Sequence, residues 1–281
     1  MEALRSLDER ADVSSLGEVV YVHHATSIPD RDAHGDLQNW ILEPETGNRR
    51  YLGAAGDPAW DSSGRKLCLV STRYHDQQIY TYDFGTRVLA QRTFGGNDKN
   101  EPTWSPSGDR IAYYEVPAGA FVLSLEDGQA RQVGPPFGHH PAWSPSGDRL
   151  AIAPGLQIIP LAEPDSVLVV LEPSSKVVSV AWINEHEFLL TRADPTPRWF
   201  DVLRYDMETG DMEMVLENAW QPTLLPDQSG FVFTSADRNL DLTLFVHWFE
   251  TGVCAQLTRW TDYLPAPDTP DIVPAINLDP R

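Results

Sequence analysis

The chain has 281 residues, 41% of them apolar, and a formal net charge of -20. Nucleic-acid phosphates are bound by Lys and Arg, so this acidic chain, which carries no basic patch, is not expected to bind nucleic acid. No apolar run has the length of a signal peptide or a membrane span, and we expect a cytoplasmic protein that does not bind membranes. The 23 prolines, 19 glycines and 9 tryptophans favour many short strands joined by tight turns over long helices.

The N-terminal part of the chain contains three strand-like segments of one structural unit. EVVYV is followed by NWILEPETGNRRYL, in which ETGN separates two strands. These segments match the second, third and fourth strands of the units that follow, and no convincing first strand precedes them. We therefore expect the missing strand to come from another part of the chain.

The rest of the chain repeats one phrase, which is clearest in TWSPSGDRIA at residues 103–112 and AWSPSGDRLA at residues 142–151. Weaker copies are PAWDSSGRKLCLV, VAWINEHEFLLT and PTLLPDQSGFVFT. The copies are spaced by 44, 39, 39 and 42 residues when they are anchored on Trp60, Trp104, Trp143, Trp182 and Leu224. This spacing is typical of the four-stranded blade of a β-propeller.

Each copy of the phrase predicts an inner strand, a tight turn and a second strand. In SPSG at residues 105–108, Pro106 presets the first turn residue and Gly108 takes a positive φ. Two further strand-like segments follow each hairpin, for example QIYTYDFGTRVLAQRT and AFVLSLEDGQARQV. The Trp that ends the inner strand is expected to pack between neighbouring blades.

Residues 273–281, VPAINLDPR, carry the same Pro-Ala-apolar pattern as HPAWSPSGD and could supply the strand that the N-terminal segments lack. We therefore predict an all-β protein with one domain over residues 1–281. It is a six-bladed β-propeller of four-stranded antiparallel blades, with inner strands anchored near residues 60, 104, 143, 182, 224 and 276. In this prediction the C-terminal strand completes the first blade, which leaves no open edge between the first and last blades. We expect the closed ring to be monomeric on its own.

The phrase WSPSGDR, which follows a proline or small residue and precedes an apolar strand, resembles the repeat of TolB-like propellers, which are relatives of the WD-repeat propellers. Trp104 and Trp143 carry it in full, whereas the copy at Trp60 has Ser62 in place of Pro and the copy at Leu224 lacks the Trp. The resemblance covers about the whole chain and implies a six-bladed propeller, commonly a binding platform. Similar propellers also form the noncatalytic domain of prolyl-oligopeptidase-like enzymes and occur in some lyases. The resemblance therefore implies no single activity.

The residue before the proline of each copy is expected at the mouth of the central channel. These residues are Asp57, Glu101, His140, Ser179, Gln221 and Val273. Asp57, Glu101 and His140 come from consecutive blades and have the chemistry of divalent-cation ligands; the alternative is that they bind water and cap neighbouring strands. His139, beside His140, is a candidate for proton transfer, but the sequence fixes no nucleophile or carboxylate partner for it.

One face of the predicted propeller carries the longer loops, namely those that enter each inner strand and those between the second and third strands of a blade. Loops of this kind often carry binding residues. Aromatic side chains occur in or at the edges of these loops: Phe137, Trp199, Trp220, Trp260 and Tyr263. Large aromatic side chains favour protein interfaces. The alternative is that some of them fold back over the blades.

These observations favour a noncatalytic scaffold or adaptor that binds a protein or peptide partner through this long-loop face, with Asp57, Glu101, His139, His140 and Gln221 at its centre. The acidic charge favours a partner with a basic surface. The alternative is a metal-dependent propeller hydrolase or lyase with its site at the channel mouth. No GxSxG nucleophile elbow occurs, no cofactor is predicted, and the two cysteines are expected to be reduced thiols.

Overall fold

The computed structural model of the chain describes residues 6–25, 37–53, 55–74, 76–193, 200–236 and 242–258. These residues form 24 β-strands and one short 3-10 helix, Pro173–Ser175. Four consecutive strands make one antiparallel blade, and six blades follow one another along the chain, so the predicted six-bladed β-propeller is confirmed. No helix in this part of the chain is long and apolar enough to cross a membrane.

The first three blades are built from strands β1 to β12, and in each blade the first strand lies innermost. Blade 1 consists of β1 Ser6–Val13, β2 Val19–Ala25, β3 Leu37–Glu43 and β4 Asn48–Gly53. Blade 2 consists of β5 Gly56–Trp60, β6 Lys66–Tyr74, β7 Asp76–Asp83 and β8 Val88–Gln91. Blade 3 consists of β9 Lys99–Trp104, β10 Arg110–Glu115, β11 Gly119–Ser124 and β12 Ala130–Gln132.

The last three blades follow the same plan with strands β13 to β24. Blade 4 consists of β13 His139–Trp143, β14 Arg149–Ala153, β15 Leu156–Pro160 and β16 Leu168–Leu171. Blade 5 consists of β17 Val177–Trp182, β18 Glu187–Ala193, β19 Phe200–Asp206 and β20 Met212–Leu216. Blade 6 consists of β21 Ala219–Leu224, β22 Gly230–Ala236, β23 Leu242–Trp248 and β24 Cys254–Gln256.

The apolar core lies in layers between neighbouring blades. An apolar cluster occupies each of the six spaces between consecutive blades among the described residues. The layer between blades 6 and 1 contains Tyr21, Val232 and Leu244, and β21 contacts β1 at the channel. Packing of the last blade on the first therefore closes the ring, assisted by one parallel backbone pair between Leu7 and Leu242.

The predicted source of the first inner strand is wrong. β1 pairs antiparallel with β2 and takes the innermost position of blade 1, so this blade has four strands without a contribution from the C-terminus. Residues 273–281 lie outside the described residues. Sequence patterns missed β1 because SLDERADVSSLG lacks the Trp and Pro that mark the stronger copies and keeps only the hairpin Gly. The predicted second, third and fourth strands of blade 1 are confirmed.

The phrase WSPSGDR builds the same hairpin in blades 3 and 4. Ser105 Oγ accepts a hydrogen bond from Arg110 N–H at 3.0 Å and donates one to Asp109 Oδ1 at 3.0 Å. Gly108, with φ +72°, donates its N–H to Ser105 O at 2.9 Å. Residues 144–149 repeat these bonds. In these two blades the small hydroxyl side chain and the glycine close the turn and satisfy its backbone groups.

The Trp and Arg of the phrase join consecutive blades. Trp143 Nε1 donates to Thr103 O at 3.1 Å, and the guanidinium of Arg110 lies 4.8 Å from the centre of the Trp143 ring. Trp182 makes the equivalent bond to the inner strand of blade 4 at 3.0 Å and carries Arg149 at 5.1 Å. A cation over an indole ring is a favourable electrostatic contact. The predicted packing of Trp between blades is confirmed.

Both cysteines are free thiols, one buried at Cys68 and one exposed at Cys254. Burial raises the pKa of each thiol, so neither is activated as a thiolate. His247 is buried in the apolar strand β23, where its Nδ1 lies 3.3 Å from Cys254 Sγ. These contacts agree with the expectation of reduced thiols.

The inter-blade role of Trp143 leads to a prediction about stability. We expect Trp143→Ala to lower the free energy of unfolding by about 3–5 kcal/mol, because a buried indole is replaced by a cavity between two blades. Phe94→Ala is the matched control, since Phe94 is 74% exposed, and its effect should stay within about 0.5 kcal/mol. Urea denaturation of both variants measures the difference. Equal effects would contradict the packing role of Trp143.

Candidate functional site

Six residues at equivalent positions of the six inner strands line the mouth of the central channel. They are Arg10, Asp57, Glu101, His140, Ser179 and Gln221, called the mouth residues below. Five of the six predicted positions are found there. Val273, predicted as the sixth, lies outside the described residues, and Arg10 from β1 takes the position of blade 1 at the mouth. Arg10 precedes Gly17 by the same number of residues as Asp57 precedes Gly64. This shared spacing is the sequence signal that could have identified Arg10 as a mouth residue.

A β-bulge in each inner strand turns these side chains towards the channel. The strand register shifts close to the mouth residue in all six blades. At five positions the residue also has a left-handed backbone: Arg10 (φ 51°), Asp57 (φ 45°), Glu101 (φ 57°), His140 (φ 49°) and Gln221 (φ 54°). Such a conformation is unfavourable for residues other than glycine, and bulges are known to re-aim side chains next to functional sites.

Hydrogen bonds between neighbouring blades offset that backbone cost. Glu101 N–H donates to Asp57 Oδ2 at 2.9 Å, and His140 N–H donates to Glu101 Oε2 at 2.6 Å. Arg10 N–H donates to Gln221 Oε1 at 3.1 Å across the junction of blades 6 and 1. Each of these side chains therefore accepts the N–H that the bulge of the next blade exposes. The predicted alternative included capping of neighbouring strands by the mouth residues, and these three hydrogen bonds are contacts of that kind.

Ion pairs add to this network. Arg10 Nε lies 3.0 Å from Asp57 Oδ1, and Arg10 Nη1 lies 3.7 Å from Glu101 Oε1. His140 Nδ1 lies 3.3 Å from the same Glu101 oxygen. The mouth thus holds two carboxylates and one guanidinium, which leaves a net negative charge when His140 is neutral.

Burial controls the protonation of these groups. It raises the pKa of Asp57, and the guanidinium of Arg10 partly offsets this effect. It lowers the pKa of His140 to about 3, and the nearby Arg10 and His139 act in the same direction. His140 is therefore a neutral imidazole at neutral pH.

Asp12 lies deeper in the channel than the mouth residues. Burial raises its pKa to about 6, although its carboxylate accepts Trp60 N–H at 2.6 Å and Val13 N–H at 3.0 Å. Its carboxyl group lines both the mouth cavity and the deeper cavity of the channel. Asp12 is a functional candidate that sequence reasoning missed, because its blade was not recognised as a copy of the repeat.

Two cavities follow one another along the channel. The mouth cavity has a volume of about 200 Å³, and a deeper cavity of about 540 Å³ is lined by Trp60, Trp104, Trp143 and Trp182. Small-molecule sites usually measure about 300–1,000 Å³. The mouth therefore has room for a single side chain or an ion rather than for a drug-sized ligand.

Three exposed apolar side chains lie on the long-loop face, where the mouth opens. Phe94, Val116 and Phe137 are 74%, 37% and 64% exposed on three loops of blades 2 to 4. These loops touch one another: Val116 N–H donates to Asp98 O at 2.9 Å, and a Cβ at Gly119 would lie 2.8 Å from Pro135 O. Three exposed apolar side chains are thus held on connected loops.

The predicted aromatic residues have different positions. Phe137 is exposed as expected. Trp220 lies in β21, half-buried, with its ring 5.8 Å from that of Phe200. Trp199, Trp260 and Tyr263 lie outside the described residues. Phe94 lies in the loop that enters β9 and was not among the predicted aromatic residues.

The cluster that could hold a metal contains His139 in place of the predicted Asp57. One ligand atom each from Glu101, His139 and His140 can be chosen so that the three lie within 4.8 Å of one another. Asp57 is not a member of this group, since its carboxylate is paired with Arg10 and the Glu101 N–H. His139 also contacts Tyr114, with a ring separation of 6.1 Å.

No family model and no curated protein matches this sequence. Solved structures do match the fold. TolB from Acinetobacter baumannii has a TM-score of 0.67 and 14% identity, with 84% of this chain and 75% of that chain covered. The TolB-like fold is confirmed.

Two other matches extend the range of similar propellers. The β-propeller domain of the Trilobed protease from Pyrococcus furiosus, described as having an open velcro topology, has a TM-score of 0.62 and 13% identity over 95% of this chain and 100% of that chain. An oligogalacturonate lyase in complex with manganese has a TM-score of 0.55 and 15% identity over 92% of this chain and 74% of that chain. Likeness at these identities concerns the fold and leaves scaffold and enzyme undistinguished.

The ion pair at the mouth leads to a second prediction. We expect Arg10→Met to lower the free energy of unfolding by about 2 kcal/mol, because two partly buried carboxylates lose their counter-charge. Arg204→Met is the matched control: Arg204 pairs with Glu187 at 2.6 Å on an exposed surface, and its loss should cost less than about 1 kcal/mol. Asp57→Asn in the Arg10→Met background should recover part of the loss. Urea denaturation tests both, and equal losses for the two arginines would contradict the argument.

A third prediction concerns pH. The pKa of Asp12 is raised from 3.8 to about 6, so its contribution to stability is fully present below pH 3.8 and is lost as the pH rises through 6. The full shift corresponds to about 3 kcal/mol. Asp12→Asn removes this loss, so between pH 4 and pH 7.5 the variant should gain about 2 kcal/mol relative to the parent. Urea denaturation at both pH values measures the change, and a constant difference would contradict the raised pKa.

Proposed function

We propose that this propeller is a noncatalytic scaffold that binds a protein or peptide partner through the channel-mouth side of its long-loop face. The observation that carries the proposal is the set of exposed apolar side chains Phe94, Val116 and Phe137 on connected loops of the face where the acidic mouth opens. Exposed apolar side chains grouped on connected loops are typical of interaction surfaces, and aromatic anchors contribute most of the energy in many interfaces.

Charge supports a partner with basic residues next to its apolar ones. The chain carries a net charge of -20, and Asp98 and Glu115 are the acidic residues next to Val116, with Glu115 Oε2 lying 3.8 Å from Lys99 Nζ. Glu101 and Asp57 add two carboxylates at the mouth against one guanidinium. Complementary charge speeds association and selects partners, and salt weakens it. The partner is therefore expected to present an apolar side chain flanked by Lys or Arg.

The predicted alternative, a metal-dependent hydrolase or lyase, stays a prediction. Its carboxylates Asp57 and Glu101 both accept backbone N–H groups of the next blade, and Arg10 pairs with them. In that alternative the carboxylates hold a cation and an imidazole moves the proton, and the pairing of Asp57 with Arg10 at 3.0 Å disfavours Asp57 as a ligand. A cytoplasmic location likewise stays a prediction.

The scaffold proposal is tested by partner capture with two surface variants. We expect the double variant Phe94→Ser/Phe137→Ser to lose at least about tenfold in affinity for the captured partner, because its apolar anchors are removed. Leu16→Ser is the matched control, since Leu16 is 68% exposed in the β1–β2 turn on the opposite face. Affinity is measured on the purified partner by calorimetry, at low and at 0.5 M salt. The proposal fails if nothing is captured, or if both variants bind equally.

A further inference from the structure

A bulge brings two consecutive histidines to the same side of an inner strand. In a regular β-strand, neighbouring side chains point to opposite faces. His139 and His140 instead have their ring centres 4.9 Å apart, because the register of β13 shifts between His139 and Ala142 and His140 has a φ of 49°. Both imidazoles are therefore available to one ligand at the channel mouth.

The carboxylate of Glu101 faces this pair from the preceding blade. Its Oε2 accepts His140 N–H at 2.6 Å, which fixes the orientation of the group, and its Oε1 lies 3.3 Å from His140 Nδ1. Hydrogen-bonded carboxylates of this kind are well oriented as metal ligands. Glu101 and His140 retain 13% and 26% side-chain exposure, so water and ions can reach them.

The charge balance favours a cation at this point. Arg10 lies closer to Asp57, at 3.0 Å, than to Glu101, at 3.7 Å, so Asp57 is its main partner. The negative charge of Glu101 is consequently only partly compensated, because among the described residues Arg10 is its one charged ion-pair partner and the nearby His140 is neutral. The acidic net charge of the chain attracts cations to the mouth as well.

We propose that Glu101, His139 and His140 form a binding site for one divalent transition-metal ion of the Zn²⁺ class. Two imidazoles and one carboxylate are the ligand set that suits Zn²⁺ and its neighbours, whereas Ca²⁺ and Mg²⁺ prefer oxygen alone. The ligand atoms lie within 4.8 Å of one another, so the side chains must rotate slightly inwards to bind one ion at bond lengths of about 2.0–2.2 Å. The mouth cavity, of about 200 Å³, leaves room for water at the remaining position.

Zinc binding to the full, metal-free chain tests this site. Isothermal titration with Zn²⁺ should give one tight equivalent, and Co²⁺ should give the visible absorption of a site with imidazole ligands. Glu101→Gln keeps an acceptor for His140 N–H but removes the charge, and His139→Gln removes one imidazole. Each should weaken Zn²⁺ binding at least about tenfold and lose the cobalt spectrum.

His186→Gln provides the matched control. His186 is half-exposed and lies 3.3 Å from Glu208, so it is another histidine–carboxylate pair, distant from the mouth in blade 5. This variant should bind Zn²⁺ like the parent. Thermal unfolding shows whether each variant is folded, and Zn²⁺ should raise the melting temperature of the parent and of His186→Gln only.

Two results would overturn the metal site. One is a parent protein that binds no Zn²⁺ at micromolar concentration. The other is equal binding by the parent, Glu101→Gln and His139→Gln, which would place the ion on histidines elsewhere in the chain. The site is independent of partner binding, because Phe94→Ser/Phe137→Ser leaves all three ligands in place.

Discussion

Contact between consecutive blades is the constraint on which this structure depends. A single four-stranded blade has two apolar faces and cannot bury them alone, so every face must be covered by a neighbour. Trp143 and Trp182 meet this need by bonding to the inner strand of the preceding blade, and Arg110 and Arg149 cover their rings. The same side chains therefore complete a hairpin, fill the core and set the spacing of the ring.

The mouth of the channel follows from that ring. Six equivalent positions converge there, and the repeat allows each position to carry a different side chain. In blade order they are Arg10, Asp57, Glu101, His140, Ser179 and Gln221. Placing Arg10 beside Asp57 puts opposite charges on adjacent blades, and placing Glu101 beside His140 puts a carboxylate beside an imidazole. The six inner strands thus share one backbone arrangement and carry different side chains at the mouth position.

The bulges direct the mouth side chains towards the channel, and the left-handed backbone that they impose is energetically unfavourable. A left-handed backbone is unfavourable for Glu101 and His140, yet each exposes an N–H that the carboxylate of the preceding blade accepts. Polar side chains at the mouth therefore stabilise the inner strands by accepting backbone N–H groups of the next blade. The proposed cation site uses groups whose orientation is already fixed, which lowers the entropy lost on binding.

The amino-acid sequence was sufficient to predict the propeller, the number of blades and most of the mouth residues. Turn chemistry, strand periodicity and the spacing of the phrase are local properties. Trp104, Pro106 and Gly108 therefore predict a hairpin without knowledge of its neighbours in the fold. Tertiary structure decided what depends on the ring as a whole. The inner position of blade 1 is filled by β1, which lacks the Trp and Pro of the repeat, so its pairing with β2 identifies it where the local pattern does not. The pairing of Arg10 with Asp57 joins two blades, and the common side of His139 and His140 depends on a bulge, so periodicity alone assigns neither.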